Sequence, residues 1–122
     1  MEITNQSYIG LQVLIVEGLI KQEAFASIRE ALNKVPAGKS KQLWIDCSHL
    51  QKIGLSNMSV STFVGKLLEL RKEDAEIILF GMSSFTDRLF KLLKLENVFR
   101  QVPTLADAYL LINEREKMAV AD

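Results

Sequence analysis

Three short apolar runs set the narrowest limit on how this chain can fold. They are Leu11-Gln12-Val13-Leu14-Ile15-Val16, Leu43-Trp44-Ile45 and Ile77-Ile78-Leu79-Phe80. The first is a strand with β-branched residues, and the other two, apolar without alternation, suit central strands covered on both faces. The stretches between and after them carry a different period. Ala24, Phe25, Ile28, Ala31, Leu32 and Val35 form a one-sided stripe over Lys21–Val35, with Lys21, Gln22, Arg29, Glu30, Asn33 and Lys34 on the wet side. Val60, Phe63, Val64, Leu67 and Leu68 form a second stripe, and Phe85, Leu89, Leu92 and Leu93 a third. Strand and amphipathic helix in alternation predict an α/β fold, with a mostly parallel sheet joined by right-handed crossovers.

Turn and cap residues punctuate this order. Ile3 to Tyr8 reads as a further strand, paired through Ile9-Gly10 with Leu11–Val16 as a hairpin, so the sheet is expected to be mixed. Pro36 and Gly38 end the first helix, Arg71–Asp74 is a solvated turn, and Gly81 closes the strand at Ile77–Phe80. Ser83-Ser84 caps the third helix, and Asn97 is placed to end it in the left-handed conformation. A short last strand is expected from Val98-Phe99, broken at Pro103. Thr104 and Asp107 approximate a capping box ahead of a final helix that turns Leu105, Ala108, Tyr109 and Ile112 inward. The expectation is one domain over residues 1–113, with about five strands and four helices, and a flexible tail over 114–122.

Composition narrows the function. At 48% hydrophobic and 25% charged, the 122 residues have the make-up of a globular domain with one core. Fifteen basic residues balance fifteen acidic ones, which removes the overall electrostatic case for a nucleic-acid partner. No apolar run approaches the ~20 residues that span a bilayer, so no direct membrane insertion is expected. Met1-Glu2-Ile3-Thr4-Asn5 lacks the basic start of a secretory leader, and one cysteine forms no internal disulfide. Both point to the cytoplasm.

Catalytic and metal chemistry find little to build on. Asp46, Cys47 and His49 sit together at one strand end, but no third group is in place to orient a Cys–His pair. Cys47 reads as a small buried residue, and Asp46 as a carboxylate that supports the loop through backbone N–H groups. One His and one Cys make no zinc site. Gly38-Lys39-Ser40 matches the end of a phosphate-binding loop, yet the residue five positions before Gly38 is Asn33 rather than Gly, and a helix rather than a strand precedes it. The chain is therefore expected to have no catalytic residues, no metal and no cofactor, and not to be an enzyme.

Ser56 offers the remaining chemistry. It lies between the strand ending at Asp46 and the helix through Val60, where free backbone N–H groups and the helix dipole favour an anion. An N-cap hydroxyl and a phosphoacceptor both suit that place.

Gly18-Leu19, the strand Leu43-Trp44-Ile45-Asp46, the Ser-bearing helix start, Gly81 followed by Ser84, and Thr104-Leu105-Ala106-Asp107-Ala108 occur here in one order and spacing. Through them the chain resembles the STAS domain, shared by sulphate-transporter tails and bacterial anti-sigma-factor antagonists, from about Ile3 to Ile112. The resemblance implies a STAS-type single domain that binds a protein partner, either a serine kinase/anti-sigma factor or a larger STAS-containing assembly. It also implies that Ser56 is the phosphoacceptor, with Gly54, Leu55, Asn57, Met58 and Ser59 around it contacting the partner. The family's usual Asp-Ser-Ser-Gly is here Gly54-Leu55-Ser56-Asn57, so the hydroxyl is kept while the acid and the following glycine are replaced. A switched antagonist and a constitutive, non-phosphorylated scaffold of a transport or stress-signalling assembly both follow. The oligomeric state is left open.

Overall fold

In the computed structural model, residues 1–18, 20–49 and 60–112 are described, Val60 by its backbone alone. β1 (Glu2–Tyr8) and β2 (Leu11–Glu17) pair antiparallel, with Tyr8 opposite Leu11 and Glu2 opposite Glu17. Their two-residue turn holds Gly10 at φ +72°, a conformation that costs other residues but not glycine. β3 (Ser40–Asp46), β4 (Ala75–Phe80) and β5 (Arg100–Val102) follow in parallel, and the sheet order is β1-β2-β3-β4-β5. The mixed five-stranded sheet expected from the apolar runs is present.

The helices are α1 (Ala24–Asn33), α2 (Val60–Arg71), α3 (Ser84–Leu92) and α4 over residues 105–112. Successive parallel strands that step in one direction, joined by right-handed crossovers, put α1, α2 and α3 on one face of the sheet. Leu14, Val16, Leu43, Ile45, Ile77 and Leu79 supply that face, and Phe25, Ile28, Leu32, Phe63, Leu67, Leu70 and Phe90 pack on it. The alternate strand residues Leu11, Val13, Ile15, Trp44, Ile78 and Phe80 point the other way and are covered by Ala108 and Ile112 of α4. Trp44 is fully buried there. Its indole N–H donates to Gln42 Oε1 (3.0 Å), and its ring meets Tyr109 edge-on at 5.0 Å. The Tyr109 hydroxyl accepts from Gln6 Nε2 (2.9 Å), which ties α4 to β1.

The capping box forms as expected. Asp107 N–H donates to Thr104 Oγ1 (3.2 Å), and Thr104 N–H donates back to Asp107 Oδ2 (3.1 Å). α1 is shorter than Lys21–Val35 because its flanks tighten to three-residue turns, Ala24 N–H to Lys21 C=O and Val35 N–H to Leu32 C=O.

Four expectations are corrected. Leu68 is 38% exposed, and Leu70 takes the buried position on α2 instead. On α3, Phe85, Leu92 and Leu93 are exposed and Leu89 half-buried, while Thr86 and Phe90 face the core. The left-handed residue that ends α3 is Lys94 (φ +60°), not Asn97. Lys94 N–H donates to Lys91 C=O and Leu95 N–H to Phe90 C=O, a Schellman closure that lets Leu95 pack on the core. Finally, β5 begins at Arg100 rather than Val98, because Phe99 turns into the core at 2% exposure.

Candidate functional site

The carboxyl ends of parallel strands leave a crevice where loops present side chains. Here that edge is held by Asp46. Backbone pairing runs one residue past β3, with Cys47 N–H donating to Phe80 C=O at 2.8 Å. The Asp46 carboxylate then accepts from Ser48 N–H through Oδ1 (2.9 Å), an Asx turn that bends the chain off the sheet. Its Oδ2 receives the Gly18 N–H at a longer 3.5 Å, so one carboxylate links the ends of β2 and β3.

Gly81, one residue beyond β4, completes this corner. It sits at φ +74°, and a Cβ there would lie 3.1 Å from Asp46 Oδ1 and 3.6 Å from Ser48 N. Its N–H donates to Pro103 C=O at 3.1 Å, which draws the exit of β5 to the same edge. Glycine is required twice over, for the backbone angle and for the approach of the carboxylate.

Cys47 is 1% exposed, and its Sγ lies 3.7 Å from Ile45 C=O. Burial, and then the neighbouring Asp46 charge, push its thiol well above the ordinary range, against a smaller lowering by the backbone contact at Phe80. The thiolate that nucleophilic chemistry needs is thus disfavoured here. Among the described residues no group of three His, Cys, Asp or Glu could hold a metal ion, and no helix is long and apolar enough to cross a membrane.

Ser83 caps α3, accepting from Thr86 N–H (3.2 Å) with its Oγ 3.0 Å from Thr86 Oγ1, while Ser84 is exposed. A cavity of about 340 Å³ lies beside it, lined by Met82, Ser83, Ser84, Asp87, Gln101, Val102 and Pro103. The Gln101 Nε2 is buried without a hydrogen-bond partner. Asp87 makes this cavity a poor anion site, because its carboxylate would oppose the ligand.

Of the residues singled out in the sequence, Asp46 is placed at this corner. Gly54, Leu55, Ser56, Asn57, Met58 and Ser59 lie outside the described residues, as does the tail over 114–122. The described part of α2 opens at Val60, four positions after Ser56. Sequence reasoning missed the exposed apolar flank of α3. The polar Thr86 amid Phe85, Leu89 and Phe90 gave no sign that it would face inward.

Comparison with known proteins agrees with this architecture. The family model described as STAS domain matches residues 3–108. An anti-sigma-factor antagonist (STAS) domain protein from Planctomyces limnophilus has a similar structure, with TM-score 0.61 and 15% identity over 91% of this chain and 97% of that one. The protein TM1081, solved by NMR, aligns with TM-score 0.54 and 15% identity over 89% of this chain and 86% of that one. No curated protein matches this chain by sequence.

Proposed function

This chain belongs to the STAS domain family, and from that premise we propose that it is a partner-binding module of the anti-sigma-factor-antagonist type, controlled at Ser56. The observation that carries the reading is a serine four positions ahead of the described start of α2, in a family match that spans residues 3–108. The proposed partner is a serine kinase or anti-sigma factor in the cytoplasm of a bacterium. Gly54, Leu55, Asn57, Met58 and Ser59 make the contact, and Asp46 supports the loop.

Magnitudes favour a binding switch over a folding switch. Phosphate adds about −1.5 to −2 charge at pH 7. Next to a helix N-terminus that charge is neutral or stabilising by about 0.3–2 kcal/mol, so the fold survives it. Against a partner with no basic mate, an uncompensated buried charge costs about 3–5 kcal/mol, a hundredfold or more in affinity.

The experiment combines the protein with the candidate kinase and ATP, locates phosphate by mass spectrometry over Ile53–Lys66, and compares partner capture by Ser56→Ala and Ser56→Asp. The expected result is phosphate on Ser56 and a hundredfold difference between the two variants. Equal capture by wild type and both variants sinks the switch. Gly54, in place of the acid usual in the family, favours the second reading, a constitutive scaffold subunit of a transport or stress-signalling assembly. In that case Ser56 carries no phosphate in cells, and the protein co-purifies with the assembly whatever residue stands at 56.

A further inference from the structure

The two outer strands of the sheet are built differently. β5 has three residues, carries Arg100 and is stopped by Pro103. A short strand with a cation and a proline keeps a foreign strand from adding to the edge. β1 reads Glu-Ile-Thr-Asn-Gln-Ser-Tyr over seven residues, with no lysine, arginine or proline and an unbroken register against β2. Among the described residues no strand pairs with its outer side.

The pairing shows which backbone groups of β1 are open. Gly10 C=O accepts from Ser40 N–H at 2.9 Å and so points to β3, which turns the Leu11 N–H of the same trans peptide toward β1. Leu11 and Tyr8 are therefore a hydrogen-bonded pair, and the alternation commits Gln6, Thr4 and Glu2 to β2 as well. Ile3, Asn5 and Ser7 turn their N–H and C=O groups outward. Asn5 and Ser7 are exposed, so no helix covers them on their face of the sheet.

Two apolar side chains flank this strand in water, Met1 at 50% and Ile9 at 105% exposure. Antiparallel self-pairing about a two-fold axis at Asn5 accounts for both features. It sets Ile3 against Ser7 and Asn5 against its own copy, so the three open residues all exchange both backbone bonds. It also sets Met1 of each copy opposite Ile9 of the other, at both ends of the paired strands. Glu2, the only charge on β1, falls opposite Tyr8 and not opposite a second Glu2. Asn5 Oδ1 accepts from Gln12 Nε2, which leaves Asn5 Nδ2 to reach the amide oxygen of its copy. Sliding the register by two residues either way parts Met1 from Ile9.

We propose that the outer edge of β1 binds a second copy of this chain, antiparallel about a two-fold axis at Asn5, joining two sheets into one. The edge is self-complementary at its centre, at both apolar ends and in charge, which a foreign strand has no reason to match. Adding β1 to β5 of a further copy would build an open chain of molecules, and the three residues and Pro103 of β5 oppose it. The two β2 strands run antiparallel in this dimer, so the two Asp46 corners lie at opposite ends of the joined sheet. The inference does not depend on Ser56.

Sedimentation equilibrium of the full chain should show a mass that rises with concentration from one chain to two and no further. Over the same range amide hydrogen exchange should slow at Ile3, Asn5 and Ser7, while Thr4 and Gln6, already bonded to β2, change little. Asn5→Lys sets like charges across the axis, and Ile9→Ser removes an apolar contact at each end. Each should weaken association at least about tenfold while leaving the urea midpoint of dilute protein unchanged. Under mild oxidation Asn5→Cys should cross-link to its copy, whereas Thr4→Cys, which faces Gln6 of the other copy, should not; buried Cys47 stays out of the reaction. The proposal is overturned by a single-chain mass at every concentration, by a mass beyond two chains, or by either weakened variant associating like wild type. Cross-linking of Thr4→Cys as readily as Asn5→Cys overturns it too. So does exchange at Ile3, Asn5 and Ser7 that slows with another protein and not with concentration, which would give the edge to a foreign strand.

Discussion

Gly81→Ala separates two costs that the corner at Asp46 combines. The backbone angle of +74° costs an L-residue about 1–2 kcal/mol. The added Cβ also lies 3.1 Å from Asp46 Oδ1, closer than ordinary contact. To relieve it the carboxylate swings away, losing the 2.9 Å bond from Ser48 N–H and the longer one from Gly18 N–H. Each is worth about 1 kcal/mol or less in net stability. The total is about 2–4 kcal/mol. Gly10→Ala supplies the reference, since Gly10 sits at φ +72° with nothing within 4 Å of a Cβ and incurs only the backbone cost. Urea unfolding of both variants should therefore differ by about 1–2 kcal/mol at unchanged m-value. In an Asp46→Ala background that difference should largely vanish, a coupling of about 1 kcal/mol or more. Equal losses for Gly81→Ala and Gly10→Ala, or a difference that persists without the carboxylate, would show that Asp46 does not hold this edge as described.

Three further outcomes follow from particular residues. Trp44, the sole tryptophan and fully buried, should emit in the blue and resist iodide quenching, and Trp44→Ala should cost about 3–5 kcal/mol; red, quenchable emission contradicts its placement under α4. Cys47, whose thiol is raised by burial and by Asp46, stays protonated in the fold while the unfolded chain ionises near its ordinary value of about 8.5. Its contribution is thus complete below that pH and lost as pH rises, at up to about 1.4 kcal/mol per unit; urea unfolding at pH 8 and pH 10 should show that slope in wild type and not in Cys47→Ala. Thr104→Ala removes the reciprocal cap of α4 and should cost about 1 kcal/mol by urea unfolding, and an unchanged midpoint would show that the cap carries no stability.

The residues that made the fold legible do so through constraints that admit one solution. An apolar run such as Ile77–Phe80 has no polar face to show to water, so it becomes a strand with both faces covered. Thr104 and Asp107 satisfy one another's backbone N–H groups wherever a helix starts, which needs no tertiary partner. Asn97 failed because left-handed preference is weak beside packing: the chain closes at Lys94, where Leu95 reaches the core. The candidate site was legible only in part for a related reason. The position of Ser56 came from resemblance of motifs in order, whereas Gly81 could be tied to Asp46 only once two strand ends distant in sequence stood side by side.

The misreading of α3 is the more instructive case. Phe85, Leu89, Leu92 and Leu93 make a better apolar stripe at helical spacing than Thr86 and Phe90 do, yet the fold buries the latter pair. Periodicity identifies a flank that is apolar; it does not say whether the same chain or another one covers it. Thr86 tolerates burial because the Ser83 cap lies within hydrogen-bond distance of its hydroxyl and accepts its N–H. That frees the larger apolar side chains for the other flank, where leaving three of them in water costs stability that burial against a partner would return. Local pattern and global fold disagree at this helix, as they do where a chain keeps surface for a purpose other than its own stability.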